Sequence, residues 1–259
     1  MNSDKVILSA KYISITFGAL KAVTDFNLEI KENELVGLIG PNGAGKTTVF
    51  NILTGVYSPT SGKYQFNGEN ITKTPTYNLV KKGLARTFQN IRLFKYLSVL
   101  DNVLVANNFN MKYGILSGIF RFPNYWKEEN EAKEKAMKLL KIFDLDGYAD
   151  TAAGNLPYGK QRKLEIARAM ATNPKLLLLD EPAAGMNPTE TEELMNTIRL
   201  IRDRFNIAIL LIEHDMKLVL GICERLVVLD HGNIIASGKP VNVINDPAVI
   251  TAYLGQEEE

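Results

Sequence analysis

The sequence predicts an α/β chain built on a buried parallel sheet, with an antiparallel β subdomain and a helical subdomain. Three observations predict it. The apolar runs Leu35–Ile39, Leu176–Leu179 and Ile207–Ile212 have the length of strands buried on both faces, as in parallel sheets. Segments of helical periodicity alternate with the later runs, and such alternation implies parallel α/β architecture. Ahead of Leu35, Phe26, Leu28 and Ile30 alternate with polar residues, as on a half-buried sheet.

The elements follow in order. Residues 6–39 read as strands. Asn67-Gly68 between YQF and ENI is a hairpin turn, because both residues accept the left-handed backbone such a turn needs. Residues 91–153 read as a helical insertion. In it Ala132, Ala136, Leu139, Leu140 and Phe143 recur at helical spacing across Glu128 to Phe143. Asn107 to Trp126, with Gly114, Gly118 and Pro123, reads as irregular. A helix follows Gly159. Asn187 caps another, with Pro188 at its first position and Glu190, Glu192 and Glu193 favouring its positive end. Leu194, Ile198, Ile201 and Phe205 form its expected buried stripe. Leu226–Leu229 and Ile234–Ala236 flank a turn at Asp230 to Asn233. The expected organisation is one domain over 1–259: a core of 1–90 and 154–259, and a helical subdomain of 91–153.

Composition narrows the function. With 30 basic and 29 acidic side chains, there is no basic excess or stripe to hold a nucleic acid. Lys81-Lys82 and the Glu257–Glu259 run read as solvated surface. The single cysteine, Cys223, permits no internal disulfide, which suits a reducing compartment. It lies in the apolar-rich stretch LVLGICERL and reads as a small core residue. No apolar run reaches membrane-spanning length, and the apolar stretch near the N-terminus is too short for a signal-peptide core. A soluble chain is expected, with docking onto a membrane component left open.

Gly40-Pro41-Asn42-Gly43-Ala44-Gly45-Lys46-Thr47 fits a phosphate-binding loop, between a buried strand and a helix over Thr47 to Thr54. Gly43 and Gly45 let successive backbone N–H groups turn toward one anion. The helix N-terminus adds its positive end, with Thr48 alongside. Lys46 can reach the β and γ phosphates, and the Thr47 hydroxyl can ligate Mg²⁺. Asp180 ends a buried strand, where ligands of open α/β sheets bind, and is expected to hold Mg²⁺ either directly or at one remove, behind the groups that ligate it. Glu181 can polarise an attacking water. His214 follows a second buried strand and is placed for the γ-phosphate. His231 sits in a turn and has no assigned role.

These motifs in this order resemble the ATP-binding cassette (ABC) ATPases over essentially the whole chain, which implies a P-loop NTPase core of the ABC ATPase fold, with ATP and Mg²⁺ as ligands. The resemblance implies that Gln89 in RTFQN senses Mg²⁺ and the water. It makes LPYGKQR at Leu156 to Arg162 the signature motif and Asp180-Glu181 the Mg²⁺ aspartate and catalytic glutamate. Ala184 to Asn187 falls at the loop after them, and His214 at the switch histidine. Phe17, 29 residues ahead of Lys46, falls where the family keeps an aromatic that stacks on adenine; Tyr12 is a weaker candidate, and either could be core. Family members pair head to tail, so Tyr158, Gly159 and Lys160 would meet the partner's ATP. Pro157 departs from the common Leu-Ser-Gly-Gly-Gln, offering neither hydroxyl nor N–H. The contact would then fall to the backbone of 158–160, with Lys160 adding charge or facing solvent.

The stretches RTFQNIRLFKYLSVLDNVLVA, LEIARAMATNPKLLLLDEPAAGMNP and DPAVITAYLG are similar to the ATPase subunit of branched-chain amino-acid importers. That resemblance implies a second ATPase subunit, identical or paralogous, two transmembrane permease subunits met through Gln89 to Tyr96, and an external solute-binding protein. It implies a cytoplasmic place on the inner face of the membrane. Relatives carry amides, urea or other small solutes, so the cargo stays open. A DNA-repair or chromosome-type ABC ATPase would need coiled-coil arms or zinc inserts. A regulatory module without turnover is opposed by Glu181 and His214 and kept open by Pro157.

Overall fold

In the computed structural model, residues 5–107 and 123–254 are described. They fall into two compact units, Met1–Gln89 with Lys175–Glu259, and Asn90–Pro174.

The first unit holds two sheets. Strands β1 (Val6–Phe17), β2 (Leu20–Lys31), β4 (Ser61–Phe66) and β5 (Glu69–Asn70) form an antiparallel sheet in the order β2-β1-β4-β5. The β4–β5 turn puts Asn67 and Gly68 at φ 50° and 79°, the left-handed pair that the Asn-Gly dipeptide supplies. Strands β3 (Leu35–Ile39), β6 (Leu84–Arg86), β7 (Leu176–Asp180), β8 (Ala208–Ile212), β9 (Arg225–Asp230) and β10 (Asn233–Gly238) form the second sheet, ordered β10-β9-β3-β8-β7-β6. All its pairings are parallel except β9–β10. Every residue of β3, β7 and β8 is buried, which is why these strands read as unbroken apolar runs.

Helix α1 (Lys46–Leu53) and α2 (Thr76–Lys82) join this unit early in the chain. The core gathers Phe26, Leu28 and Ile30 of β2, Val36 and Leu38 of β3, and Val49, Phe50, Ile52 and Leu53 of α1. Each fully buried large side chain contributes roughly 1.5–3 kcal/mol. The Tyr64 hydroxyl donates to the Ile52 carbonyl at 2.8 Å inside this core.

The second unit is helical. It comprises α3 (Val99–Asn107), α4 (Pro123–Ile142), two 3₁₀ turns (Asp146–Tyr148 and Ala153–Asn155) and α5 (Tyr158–Met170). Ala132, Ala136, Leu139, Leu140 and Phe143 are all buried, as their spacing predicts. Asn102 is fully buried. Its side chain accepts the Phe94 N–H at 3.0 Å and donates to the Phe94 and Ser98 carbonyls, which fixes the loop ahead of α3.

The first unit resumes with α6 (Pro188–Phe205), α7 (Met216–Ile222), α8 (Pro240–Val243) and α9 (Pro247–Leu254). Asn187 and Glu190 form a complete capping box at α6.

Three expectations need correction. Asn107 ends α3 and Pro123 to Trp126 open α4 instead of belonging to an irregular stretch; the residues between them lie outside the described residues. Phe205 is exposed, so the stripe of α6 ends at Ile201. Residues 154–174 group with the helical unit, because α5 packs on α3 and Ala153 and Gly154 donate to the Leu97 and Lys95 carbonyls.

Strand register sets the working edge. Leu38 and Asp180 both lie opposite Ile212. The chain leaving β3, β8, β7 and β6 therefore emerges from one end of the sheet as four neighbouring segments, Gly40 onward, Glu213-His214, Glu181 and Thr87 to Gln89.

Candidate active site

Gly40 follows β3 at φ 146°, and a Cβ there would lie 2.0 Å from the Leu229 carbonyl oxygen. Only glycine fits. Gly45 has φ 104°, and its Cβ would lie 2.8 Å from the Ala22 carbonyl oxygen. Gly43 has φ 76°, with open space where a side chain would stand. The loop is thus tight at both ends and clear in the middle. Ala44 donates to the Pro41 carbonyl at 3.2 Å. From outside, the Gly232 N–H of the β9–β10 turn donates to the Ala44 carbonyl at 3.0 Å, and Thr24 donates to the Gly232 carbonyl at 2.9 Å. The turn read from the sequence only as a strand connection braces this loop through Gly232.

Lys46 is half-buried and folds over the loop, its ammonium donating to the Gly40 and Pro41 carbonyls at 2.7 Å each. Burial lowers its pKa, and the Glu181 charge partly offsets that. Asn42 and Thr47 are exposed, and Thr48 lies in the first turn of α1.

Asp180 ends β7 almost fully buried, its Oδ2 accepting from Arg86 Nη2 at 2.7 Å. Its N–H donates to Thr87 Oγ1 at 3.3 Å. Glu181 takes φ 46°, a left-handed conformation unusual for a non-glycine residue and typical of strained functional positions. The Glu181 N–H donates to the Ile212 carbonyl at 2.9 Å. Its Oε2 accepts from Gln89 Nε2 at 2.8 Å and lies 3.9 Å from His214 Nδ1. One carboxylate thus gathers Gln89 and His214 and is felt by Lys46.

His214 itself is largely exposed. Behind it, the Glu213 carboxylate is 1% exposed and accepts N–H donors from Ala183 at 2.8 Å, His214 at 3.0 Å and Asp215 at 3.2 Å. Desolvation pushes its pKa up, against the pull of those donors. Asp215 caps α7 by accepting from Leu218.

Phe17 is exposed at the end of β1, edge-on to Tyr57 with ring centroids 5.3 Å apart. Tyr12 is exposed with φ 52°. In the helical unit, Pro157 is the N-cap of α5 and Tyr158 its first residue. Gly159 is buried. The Tyr158 hydroxyl accepts from Arg162 at 3.2 Å, and the Lys160 ammonium sits 4.6 Å above the Tyr148 ring.

The structure therefore brings Gly40 to Thr48, Gln89, Asp180, Glu181 and His214 into one unit, and holds Tyr158 to Lys160 in the other. Three residues escaped sequence reasoning: Arg86, Glu213 and Tyr253, whose pKa burial raises while the nearby Gly40 backbone pulls it down. Arg86 and Glu213 carried a signal, a charge directly abutting a buried apolar strand. Tyr253 carried none. The oxygen donors Thr47, Gln89 and Asp180 suit a hard cation. Among the described residues no group of three or more His, Cys, Asp or Glu side chains could hold a metal. A single carboxylate suits Mg²⁺, which takes substrate phosphates and waters as its other ligands.

The model of the ABC transporter family matches residues 23–184, more than half of the chain. The chain belongs to the ABC transporter ATPases. A second model, described as branched-chain amino acid ATP-binding cassette transporter, matches residues 233–259. The chain is 47% identical to the high-affinity branched-chain amino acid transport ATP-binding protein BraF of Pseudomonas aeruginosa, covering 98% of this chain and 99% of BraF. Its fold is similar to the ADP conformation of MJ1267, an ATP-binding cassette of an ABC transporter, with TM-score 0.84 and 34% identity over 96% of this chain and 99% of MJ1267. It is also similar to the dimeric post-hydrolysis structure of the cassette MJ0796 bound to ADP and Pi. There the TM-score is 0.74 and the identity 25%, over 90% of this chain and 99% of that one. As an ABC transporter ATPase, the chain binds ATP and couples its hydrolysis to transport.

Proposed function

We propose that this ABC ATPase drives import of branched-chain amino acids from the cytoplasmic face of the membrane. It would pair with a second ATPase subunit and dock on two permease subunits fed by an external binding protein. The similarity to BraF along nearly the whole of both chains supports the cargo, and the dimeric MJ0796 cassette supports the pairing. Among the described residues no helix is long and apolar enough to cross a membrane, so the membrane step falls to the partners. Phe94 and Tyr96, exposed on the loop ahead of α3, are the permease contact in this reading.

Glu181 is the general base. Its carboxylate takes a proton from the attacking water and holds that water in line with the γ-phosphoryl group. Gln89, bonded to Glu181 at 2.8 Å, fixes the carboxylate's direction. Lys46 would exchange its two carbonyl acceptors for phosphate oxygens, and with His214 and the loop N–H groups would stabilise the charge on the γ-phosphate. Thr47, Asp180 and Gln89 would hold Mg²⁺, which supplies charge neutralisation at the phosphates when bound. Phe17 stacks on the adenine, and the backbone of Tyr158, Gly159 and Lys160 serves the partner's ATP.

The convergence of Gln89 and His214 on Glu181 is the single observation that carries the hydrolytic part of this reading. In the transporter assembled with its membrane subunits, Glu181→Gln should slow ATP hydrolysis by on the order of 10²–10⁴ while nucleotide binding survives. Turnover near wild type would remove Glu181 from the chemistry. Uptake of labelled leucine, isoleucine and valine, competed by amides or urea, tests the cargo separately.

A further inference from the structure

Arg86 closes β6, and its side chain is only 8% exposed. Its guanidinium bonds three side chains at once. Nη2 donates to Asp180 Oδ2 at 2.7 Å. Nη1 donates to Asn51 Oδ1 at 2.7 Å and to Thr54 Oγ1 at 3.2 Å, both on the helix that begins at the phosphate loop or just past its end. The guanidinium carbon lies 5.5 Å from the Phe50 ring centroid and 5.1 Å from that of Phe88. Thr87 and Gln89, one and three residues further on, bond Asp180 and Glu181. Segments 86–89 and 180–181 are thus joined side by side, and Arg86 ties both to α1.

A buried carboxylate with nothing to hold it would turn toward whatever donor it could find. Here one oxygen is held by a planar group that is charged at every working pH and itself lies over the rings of Phe50 and Phe88. We propose that Arg86 is a positioning residue for Mg²⁺: it fixes the Asp180 carboxylate so that the remaining oxygen faces the cation, and it ties that orientation to the Gln89 segment. The proposal rests on the nucleotide-site reading above. Groups that orient a metal-binding side chain typically change metal affinity or activity by roughly 10–100-fold when removed.

The test uses the full chain with a fluorescent ADP analogue and Mn²⁺ as a spectroscopic stand-in for Mg²⁺. Measured against each variant's own binding in EDTA, Arg86→Ala should raise the Mg²⁺ concentration for half-maximal analogue binding about 10–100-fold and broaden the Mn²⁺ electron paramagnetic resonance signal of the ternary complex. Arg86→Lys should fall between, because an ammonium can serve Asp180 but not also Asn51 and Thr54. Circular dichroism checks that each variant folds; should Arg86→Ala not fold, Arg86→Lys carries the test alone. Unchanged Mg²⁺ dependence in Arg86→Lys and in a folded Arg86→Ala overturns the proposal. So does a lowered Mg²⁺ requirement, which would make the guanidinium a competitor of the cation. A wild-type chain whose nucleotide binding ignores Mg²⁺ would instead sink the metal assignment itself.

Discussion

Glu181 and Glu213 share one corner of the fold and do opposite work. Glu181 holds a backbone conformation that costs of order 1–3 kcal/mol in a non-glycine residue, and its side chain faces the phosphate loop. Glu213 is buried and spends its carboxylate on three backbone N–H groups, so it locks the strand exits that carry Ala183 and His214. Cys223 packs nearby on β3; a Cβ on Gly37 would lie 3.0 Å from its sulfur. Burial first, then the charges of Glu213 and Glu224, push the thiol from 9.0 up to about 12. An acid raised on folding stabilises the fold below the unfolded value, and that contribution is lost as pH rises from about 9 through about 12. The native thiol should therefore carry about three orders of magnitude less thiolate than the unfolded chain near neutral pH. Iodoacetamide labelling at pH 8 with and without urea measures this, and rapid labelling of native Cys223 would contradict it.

At the scale of elements, the strands and helix caps were legible because local chemistry alone decides them. Leu35–Ile39, Leu176–Leu179 and Ile207–Ile212 are apolar throughout because neighbours cover both faces, and Asn187-Pro188 announces a helix start whatever it packs against. The phosphate loop was legible for the same reason, since its glycines answer to backbone geometry. Phe205 was misread because period alone cannot say where a buried stripe runs out. Residues 154–174 were misplaced because their partners, Lys95 for Gly154 and α3 for α5, lie far away in sequence. Arg86 and Glu213 hid for a related reason: a single charge beside an apolar strand reads as its polar end until the opposing groups are known. The capping box of α6 offers a direct measure of such local terms. Asn187 accepts the Glu190 N–H at 3.0 Å, and Glu190 returns the bond to the Asn187 N–H. Asn187→Ala should destabilise the chain by about 1 kcal/mol, read from the urea midpoint. A loss near zero would mean that the helix start is held by its packing instead.

For the molecule as a whole, the phosphate loop, Gln89, Asp180, Glu181 and His214 belong to one compact unit, and Pro157 to Lys160 to the other. The signature turn has no reacting side chain. It offers the start of α5, where Pro157 sets an extended backbone before the helix and the N–H groups of the first turn are available to an anion. Lys160 leans on Tyr148, so in the proposed role the backbone would be the more direct phosphate donor. If each ATP is shared between the loop of one subunit and the turn of another, damage to the two parts must complement across a pair. Subunits carrying Lys46→Ala and subunits carrying Gly159→Glu should each be inactive alone. In a mixed pair one site combines two damaged parts, while the other combines an intact loop with an intact turn. ATP hydrolysis should therefore reappear when the two variants are reconstituted together, and should reappear only when the mixture can form pairs. Activity that stays at the level of the parents would mean that two copies of this chain do not share their sites, and would turn the search toward a paralogous partner or a site completed within one chain.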